Sequence, residues 1–412
     1  MIYHIKAQNV LNTSILPPSS KSISNRVLIL NALCNHPKKI NNISICDDTE
    51  VVIKALREKK SNINIGAAGT AMRFLTAYLS SQKGNYTITG TERMKNRPIK
   101  ILVDALRSTG ARIKYAEKDG FPPLYIEGQT LKGGDVYLDG GVSSQYISAL
   151  LMIAPLMTNG LRLHLSSEII SEPYINLTIK LMRRFGVIVF KEDQTYTVPP
   201  QQYSFVDNFT VESDWSAASY WYEIIALCKN DNATISLQGL WQDSLQGDAS
   251  IANLFDKLGV ETTFTSSGVT LSKKPAVSDI PFVFDFVSMP DMAQTFAVTC
   301  AMLNIPFRFA GLQSLKIKET DRLGALKIEL RKLGYLLEVR NENSLEWNGE
   351  RCEAETLPVI ETYEDHRMAM AFAPISLCRE NGISIANPEV VSKSYPSFWD
   401  DIKKANFLIV ES

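Results

Sequence analysis

Two kinds of apolar pattern alternate along this chain of 412 residues. One is apolar nearly all round, over residues 72–79, 146–157, 217–227, 292–303 and 368–377. A helix without a polar face has to be buried, so these stretches predict interior helices. A shorter run, Val27-Leu28-Ile29-Leu30, predicts a sixth. The other pattern is a one-faced helix, a glycine, then an alternating strand. It occurs four times, around Gly110, Gly186, Gly259 and Gly334, at separations of 76, 73 and 75 residues. Each glycine suits the left-handed position just past a helix end. A period near 75 residues is too long for a solenoid and predicts a duplicated α/β module.

The interior helices begin with polar residues, near Ser22, Thr70, Ser144, Trp215, Asp291 and His366. The last five starts are 74, 71, 76 and 75 residues apart, whereas the first interval is 48, so the opening module is shorter or incomplete. Six buried helices in six similar modules predict helices inside and sheets outside, with three modules per domain. If the helices of a domain run parallel, their N-termini share one face. Each such end carries unpaired N–H groups and a partial positive charge. Two faces of this kind, opposed, would form a cleft suited to a polyanion. Serine, threonine and aspartate are favoured caps in any helix. It is the lysines and arginines beside several of these caps that argue for a ligand.

Bulk properties narrow the field. Hydrophobic residues make up 45% and charged residues 21%, as in an ordinary soluble globular protein. A formal net charge of −1 points to neither nucleic acid nor an anionic membrane, so any basic site is a local concentration. The six cysteines show no CxxC and read as reduced thiols, and the four scattered histidines give no zinc spacing. Met1-Ile2-Tyr3-His4-Ile5 starts like a strand and lacks the regions of a signal peptide. A cytoplasmic protein without a membrane span is expected.

Chemistry-bearing residues gather at the helix starts. Pro17-Pro18-Ser19-Ser20-Lys21-Ser22-Ile23-Ser24-Asn25-Arg26 joins hydroxyls, an amide and two cations to an interior helix. Lys21-Ser22 resembles the end of a nucleotide P-loop, but no glycine precedes it to wrap a phosphate. Gly66-Ala67-Ala68-Gly69-Thr70-Ala71-Met72-Arg73 is a small-residue turn that allows close backbone approach. Three cations precede Pro98 in Thr91-Glu92-Arg93-Met94-Lys95-Asn96-Arg97. Ser143-Ser144-Gln145 offers neutral donors, and Ser171-Glu172-Pro173-Tyr174 a hydroxyl and a phenol. Lys318-Glu319-Thr320-Asp321-Arg322 carries four charges, with Lys318 and Arg322 at the spacing of one helical face. Asp291 is either a helix cap or a carboxylate placed to take a proton. Taken singly, each stretch also reads as a capping turn or a solvated charge run.

Taken in order, Ser20–Arg26, Ala68–Arg73, Arg97-Pro98, Ser143–Gln145, Lys318–Arg322 and Asp365-His366-Arg367 resemble the 5-enolpyruvylshikimate-3-phosphate synthase family, also called 3-phosphoshikimate 1-carboxyvinyltransferases. The likeness runs from about residue 2 to 407. It implies the enolpyruvyl transferase fold, a two-domain inside-out α/β barrel of six βαβαββ units, three per domain. It places one domain at 22–212 and a discontinuous one at 1–21 plus 213–412, with the active site in the cleft between them. It implies transfer of the enolpyruvyl group of phosphoenolpyruvate to the 5-hydroxyl of 3-phosphoshikimate, a step of aromatic amino acid biosynthesis, by a cytoplasmic monomer with no metal or cofactor. UDP-N-acetylglucosamine 1-carboxyvinyltransferase and a non-catalytic anion-binding relative are the alternatives.

Residue by residue, the likeness assigns Lys21, Ser22, Arg26, Ser143, Ser144, Gln145, Ser171, Tyr174, Asp291, Ser314 and Lys318 to 3-phosphoshikimate. It assigns Lys21, Gly69, Arg97, Gln145, Arg322, Arg367 and Lys393 to phosphoenolpyruvate. Asp291 and Glu319 would carry the proton transfers, with Lys21 assisting. Gly69-Thr70 with Arg73 resembles the glyphosate-sensitive form of the family. Four positions depart from its usual pattern: Ser19 for glycine, Ala67 for asparagine, Phe74 for proline and Ser314 for asparagine.

Overall fold

The structure, a computed structural model, describes residues 1–58, 60–205, 207–277 and 279–412. Unit 1 comprises Met1–Pro18 and Glu212–Ser412, and unit 2 comprises Ser19–Val211. The chain thus leaves unit 1 after Pro18 and returns at Glu212, where the sequence reading set the passages at 21/22 and 212/213. Two strands, β1 (Ile2–Ala7) and β2 (Asn12–Ile15), precede the first passage.

Unit 2 opens with helices α1 (Lys21–Ala32) and α2 (Asp47–Glu58). A full module follows: β3 (Asn62–Asn64), α3 (Gly69–Ser81), β4 (Gly84–Thr89), the short α4 (Glu92–Lys95), α5 (Lys100–Ser108), β5 (Arg112–Tyr115) and β6 (Leu124–Gly128). Its sheet runs β3-β4-β6-β5, with β3 parallel to β4 and the other pairs antiparallel. The next module repeats this plan with β7 (Gly134–Leu138), α6 (Ser144–Ile153), β8 (Leu161–Leu165), α7 (Glu172–Arg184), β9 (Phe190–Glu192) and β10 (Thr195–Val198). Where α1 and α2 would call for a third sheet, the described residues show only the parallel bridge Asn41–Thr210. That shortfall matches the short first interval in the sequence.

Unit 1 holds three modules. The first is β2, α8 (Trp215–Leu227), β11 (Thr234–Gln238), α9 (Ile251–Lys257), β12 (Val260–Thr265) and β13 (Gly268–Lys273). Then come β14 (Phe282–Asp285), α10 (Ala293–Met302), β15 (Phe307–Ala310), α11 (Arg322–Lys332), β16 (Glu338–Arg340) and β17 (Ser344–Trp347). The last comprises β18 (Val359–Ile360), α12 (His366–Phe372), β19 (Ile383–Ala386), α13 (Phe398–Lys404) and β20 (Phe407–Glu411), and β1 completes its sheet between β19 and β20.

The module-ending residues behave as the repeat requires. Gly110, Gly186, Gly259 and Gly334 have φ of 103°, 81°, 88° and 92°. After α13 the same place falls to Asn406, at φ 64°, so a fifth copy exists that a search for glycine passes over. Asparagine is among the few other residues that tolerate this region. In strand β6 burial alternates residue by residue, so one face covers the helices and the other meets solvent. Inside unit 2, Arg26 of α1 reaches Phe74 of α3 and Ser148 of α6, each about one turn into its helix. In unit 1, Ser219 of α8 meets Thr295 of α10 at 3.3 Å, and Gln294 meets Met368 of α12. Contacts at matching depths mean that the inner helices of each unit run parallel, with their N-termini at one end.

A charged residue stands among the buried side chains of the interior helices. Glu223 of α8 is 0% exposed, and its carboxyl oxygens have no hydrogen-bond partner among the described residues. Burial pushes its pKa well above the usual carboxylate range. Thr299 offsets little of this, because its hydroxyl is donated to the Thr295 carbonyl at 2.8 Å. An acid whose folded pKa is raised lowers stability progressively as pH climbs above its unfolded pKa. Glu223→Met is therefore expected to stabilise unit 1 by about 1–3 kcal/mol at pH 8. The gain should shrink toward pH 5. Thermal unfolding at the two pH values checks this, and an equal or negative shift at both would contradict it.

Candidate active site

In unit 1 the charged residues converge on one guanidinium. Arg322, the first residue of α11 and 2% exposed, donates Nε to Asp365 Oδ2 at 2.6 Å. Its Nη1 reaches Asp291 Oδ1 at 2.7 Å and its Nη2 reaches Glu319 Oε2 at 2.9 Å. Around this hub Lys318 Nζ lies 3.2 Å from Asp291 Oδ1, Arg367 Nη2 3.9 Å from Asp291 Oδ2, and Lys393 Nζ 3.0 Å from Glu319 Oε1. Four cations thus face three carboxylates, leaving a surplus of positive charge. Ser314 lies in a neighbouring 3-10 turn, Gln313–Ile317, and its enclosed hydroxyl has no hydrogen-bond partner among the described residues.

Local structure explains the geometry, decides between the two readings of Asp291 and corrects the one made for Lys318 and Arg322. Asp291 does not cap α10: it sits in a 3-10 turn, Pro290–Met292, and the α-helix begins at Ala293 without a side-chain cap. The carboxylate is left to the cations. Nor do Lys318 and Arg322 share a helical face, because Lys318 follows the 3-10 turn and Asp321 caps α11 after it. They meet through Asp291 instead. Asp365 caps α12 by accepting the Arg367 N–H at 2.9 Å while it holds Arg322, so one carboxylate fixes two arginines.

The electrostatics follow. Burial would raise the pKa of Asp291, but Lys318, Arg367 and Arg322 together outweigh it and hold the carboxyl well below its usual range. Burial likewise opposes the charge of Arg322, yet Asp365, Glu319 and Asp291 hold it protonated. Tyr220, whose hydroxyl accepts from Arg367 Nη1 at 3.5 Å, is pushed up to about 12 by burial and stays a neutral phenol.

Unit 2 gathers the other expected residues at its helix N-termini. Ser20 caps α1, and Lys21 in the first turn pairs with Asp48 of α2 at 3.1 Å. Ser22 lies beside it, with its carbonyl accepting Arg26 Nη1 at 2.9 Å. Gly69 opens α3 directly against the Arg97 guanidinium: a methyl group on Gly69 would lie 2.7 Å from Arg97 Nη1. Ser143 caps α6, Ser144 is buried behind it, and Gln145 Nε2 donates to Thr70 Oγ1 at 3.1 Å. Ser171 precedes α7 in the left-handed region at φ 59°, and Tyr174 lies one turn on.

Arg26 stands deeper than a surface ligand would. It is 3% exposed and gives Nε to Thr178 Oγ1 at 2.7 Å and Nη2 to the Tyr174 carbonyl at 3.3 Å. Its Cζ lies 5.2 Å from the ring centroid of the fully buried Phe74, the residue that departs from the family's proline. Burial lowers its pKa to about 10, which keeps it charged at neutral pH. Asp48, Asp365, Thr70 and Tyr220 are partners that the sequence reading missed. Asp365 had a signal, the cap position of Asp365-His366-Arg367. Asp48 reads only as an acidic residue in a first helical turn.

The sequence matches the profile of EPSP synthase (3-phosphoshikimate 1-carboxyvinyltransferase) over residues 5–62 and 58–402. The chain belongs to this family. A 3-phosphoshikimate 1-carboxyvinyltransferase of Bacteroides fragilis is 57% identical, over 99% of this chain and 98% of the relative. One of Sulfurovum sp. is 35% identical, over 93% and 94%. An EPSP synthase structure from Acinetobacter baumannii superposes with a TM-score of 0.78 and covers 100% of both chains. At 20% identity that likeness shows the fold, the two-domain inside-out α/β architecture. Membership and fold were both expected from the sequence.

Proposed function

We propose that the two constellations act on one pair of substrates, phosphoenolpyruvate and 3-phosphoshikimate, in the enolpyruvyl transfer of this family. Lys21, Ser22, Arg26, Ser143, Ser144, Gln145, Ser171, Tyr174, Asp291, Ser314 and Lys318 serve the acceptor. Lys21, Gly69, Arg97, Gln145, Arg322, Arg367 and Lys393 serve the donor. Asp291 takes the proton of the 5-hydroxyl as its oxygen attacks C2 of phosphoenolpyruvate. Glu319 protonates the methylene carbon, giving a tetrahedral adduct with a methyl group. Elimination transfers one of the three methyl hydrogens to Glu319 as a proton and expels phosphate, so the product carries the enol ether. Lys21 binds both substrates and assists proton movement.

The observation that carries this reading is Arg322 holding Asp291 and Glu319 on separate nitrogens, 2.7 and 2.9 Å away. The pair is an acid and a base fixed beside surplus cations, as addition–elimination between anions requires. The cations also keep Asp291 a weak base while they have only carboxylates to neutralise. Substrate phosphate and carboxylate groups that engage Lys318 and Arg367 draw that field away and make Asp291 more basic when the hydroxyl is present. A near-neutral chain with six free cysteines among the described residues suits a cytoplasmic monomer that binds no nucleic acid. No described helix is long and apolar enough to cross a membrane.

The test is phosphate release from phosphoenolpyruvate. Release that requires 3-phosphoshikimate and fails with UDP-N-acetylglucosamine supports the reading, and release independent of acceptor overturns it.

Gly69→Ala probes the donor side. The methyl would press on Arg97 at 2.7 Å and force the guanidinium aside. A hydrogen bond to a charged group contributes about 1.5–3 kcal/mol, so affinity for phosphoenolpyruvate should fall by about 10-fold or more. Glyphosate, competing for the same place, should lose inhibition. Unchanged inhibition in Gly69→Ala would reject this steric account.

A further inference from the structure

We propose that Arg73 is a positioning residue for donor binding, which sets where Arg97 stands against Gly69 by gripping two backbone carbonyls. The proposal rests on the donor role given above to Arg97 and Gly69. Arg73 is 5% exposed and turned into unit 2, where its guanidinium is engaged by backbone carbonyls. Its Nη1 donates to the Gly69 carbonyl at 3.1 Å and its Nη2 to the Pro98 carbonyl at 3.2 Å. Those carbonyls belong to the first residue of α3 and to the residue after Arg97. One planar group therefore spans the segments that carry the two proposed donor contacts.

Four further contacts brace the span. Arg73 Nη1 also lies 3.7 Å from Met94 Sδ, in the short α4 just before Arg97. The Pro98 carbonyl accepts a second bond, from the Tyr146 hydroxyl at 2.7 Å, and the Tyr146 ring lies 5.9 Å below the Arg73 guanidinium. Tyr146 stands next to Gln145, which is tied to Thr70 at 3.1 Å. The N-termini of α3 and α6 and the Arg97 segment are thus closed into one ring, with Arg73 at its centre. A guanidinium can hold two carbonyls at fixed spacing because its donors lie in one plane, whereas an ammonium is a point donor.

Arg73→Lys keeps the charge and loses the fork. The expected result is a rise of about 10-fold in KM for phosphoenolpyruvate, with KM for 3-phosphoshikimate changed less than about 2-fold, and partial restoration by added guanidinium ion. Hydrogen exchange on the whole protein gives a readout independent of turnover. Amides of residues 92–98 should exchange faster in the variant, while those of α1 and α7 remain as in the parent. Equal changes in both KM values, or unchanged exchange over 92–98, would overturn the proposal. If the parent protein fails to turn over the two substrates, the functional reading falls and the exchange result still decides whether Arg73 holds the Arg97 segment.

Discussion

Turnover of Asp291→Asn is expected to fall by at least about 10²-fold, while affinity for 3-phosphoshikimate changes by less than about 10-fold. The carboxylate is ionised by its cations rather than engaged as a helix cap, since α10 starts two residues later without it. Asparagine keeps the shape and one acceptor oxygen but cannot receive the hydroxyl proton. General acid–base assistance contributes about 10²–10⁴-fold, or roughly 3–5 kcal/mol of barrier. Removing the negative charge leaves Lys318, Arg322 and Arg367 with a larger positive surplus, which favours anionic ligands and protects affinity. Glu319→Gln should behave alike, and the double variant should lose less than the product of the single losses because both groups serve one reaction. Calorimetric binding and phosphate release, measured on the same preparations, separate the two effects. Near-parent turnover in Asp291→Asn would remove this residue from the chemistry.

Arg322→Met is expected to lose both activity and about 3–5 kcal/mol of stability, because it strands a buried carboxylate. Asp365 is 0% exposed and accepts two hydrogen bonds from Arg322, at 2.6 and 3.3 Å. Removing the guanidinium leaves its carboxylate, among the described residues, only the hydrogen bond from the Arg367 backbone N–H at 2.9 Å. The same guanidinium neutralises Asp291 and Glu319. The pH dependence follows from the sign of the Asp291 shift. A carboxyl whose folded pKa is depressed stabilises the fold above its unfolded pKa and loses that contribution as pH falls through the folded value. In the parent this stabilisation is present at neutral pH. Without Arg322 the Asp291 carboxylate is more readily protonated, so the deficit of the variant relative to the parent should narrow from pH 7 to pH 5. Adding Asp365→Asn should restore part of the stability and none of the turnover. Urea unfolding at both pH values checks each step, and a deficit below about 1 kcal/mol would show that Arg322 is not the hub.

Much of this architecture is visible in the sequence because local physics dictates it. A helix apolar all round has nowhere to go but the interior, and a glycine past its partner helix fits φ near 90°, so the module period survives as spacing. Asn406 marks the edge of that logic, since a different residue meets the same backbone demand. The site residues were visible as types at helix starts, but their connections were not. Lys318 and Arg322 suggested a helical face, whereas a 3-10 turn and a cap separate them and Asp291 joins them from 31 residues before Arg322. Asp48, Thr70 and Arg73 act through partners on other segments, and no local pattern announces that. Phe74 shows the same limit: its place beneath Arg26 depends on how α1 and α3 pack.

The account stands most directly on carbon protonation during transfer. With phosphoenolpyruvate and 3-phosphoshikimate in deuterated water, a tetrahedral adduct formed by protonation bears a CH₂D group, and elimination leaves deuterium in the enolpyruvyl methylene of the product. Mass spectrometry of the product reads this in one experiment. Deuterium in that methylene is the predicted result, and product formed with protium alone would contradict addition–elimination through Asp291 and Glu319.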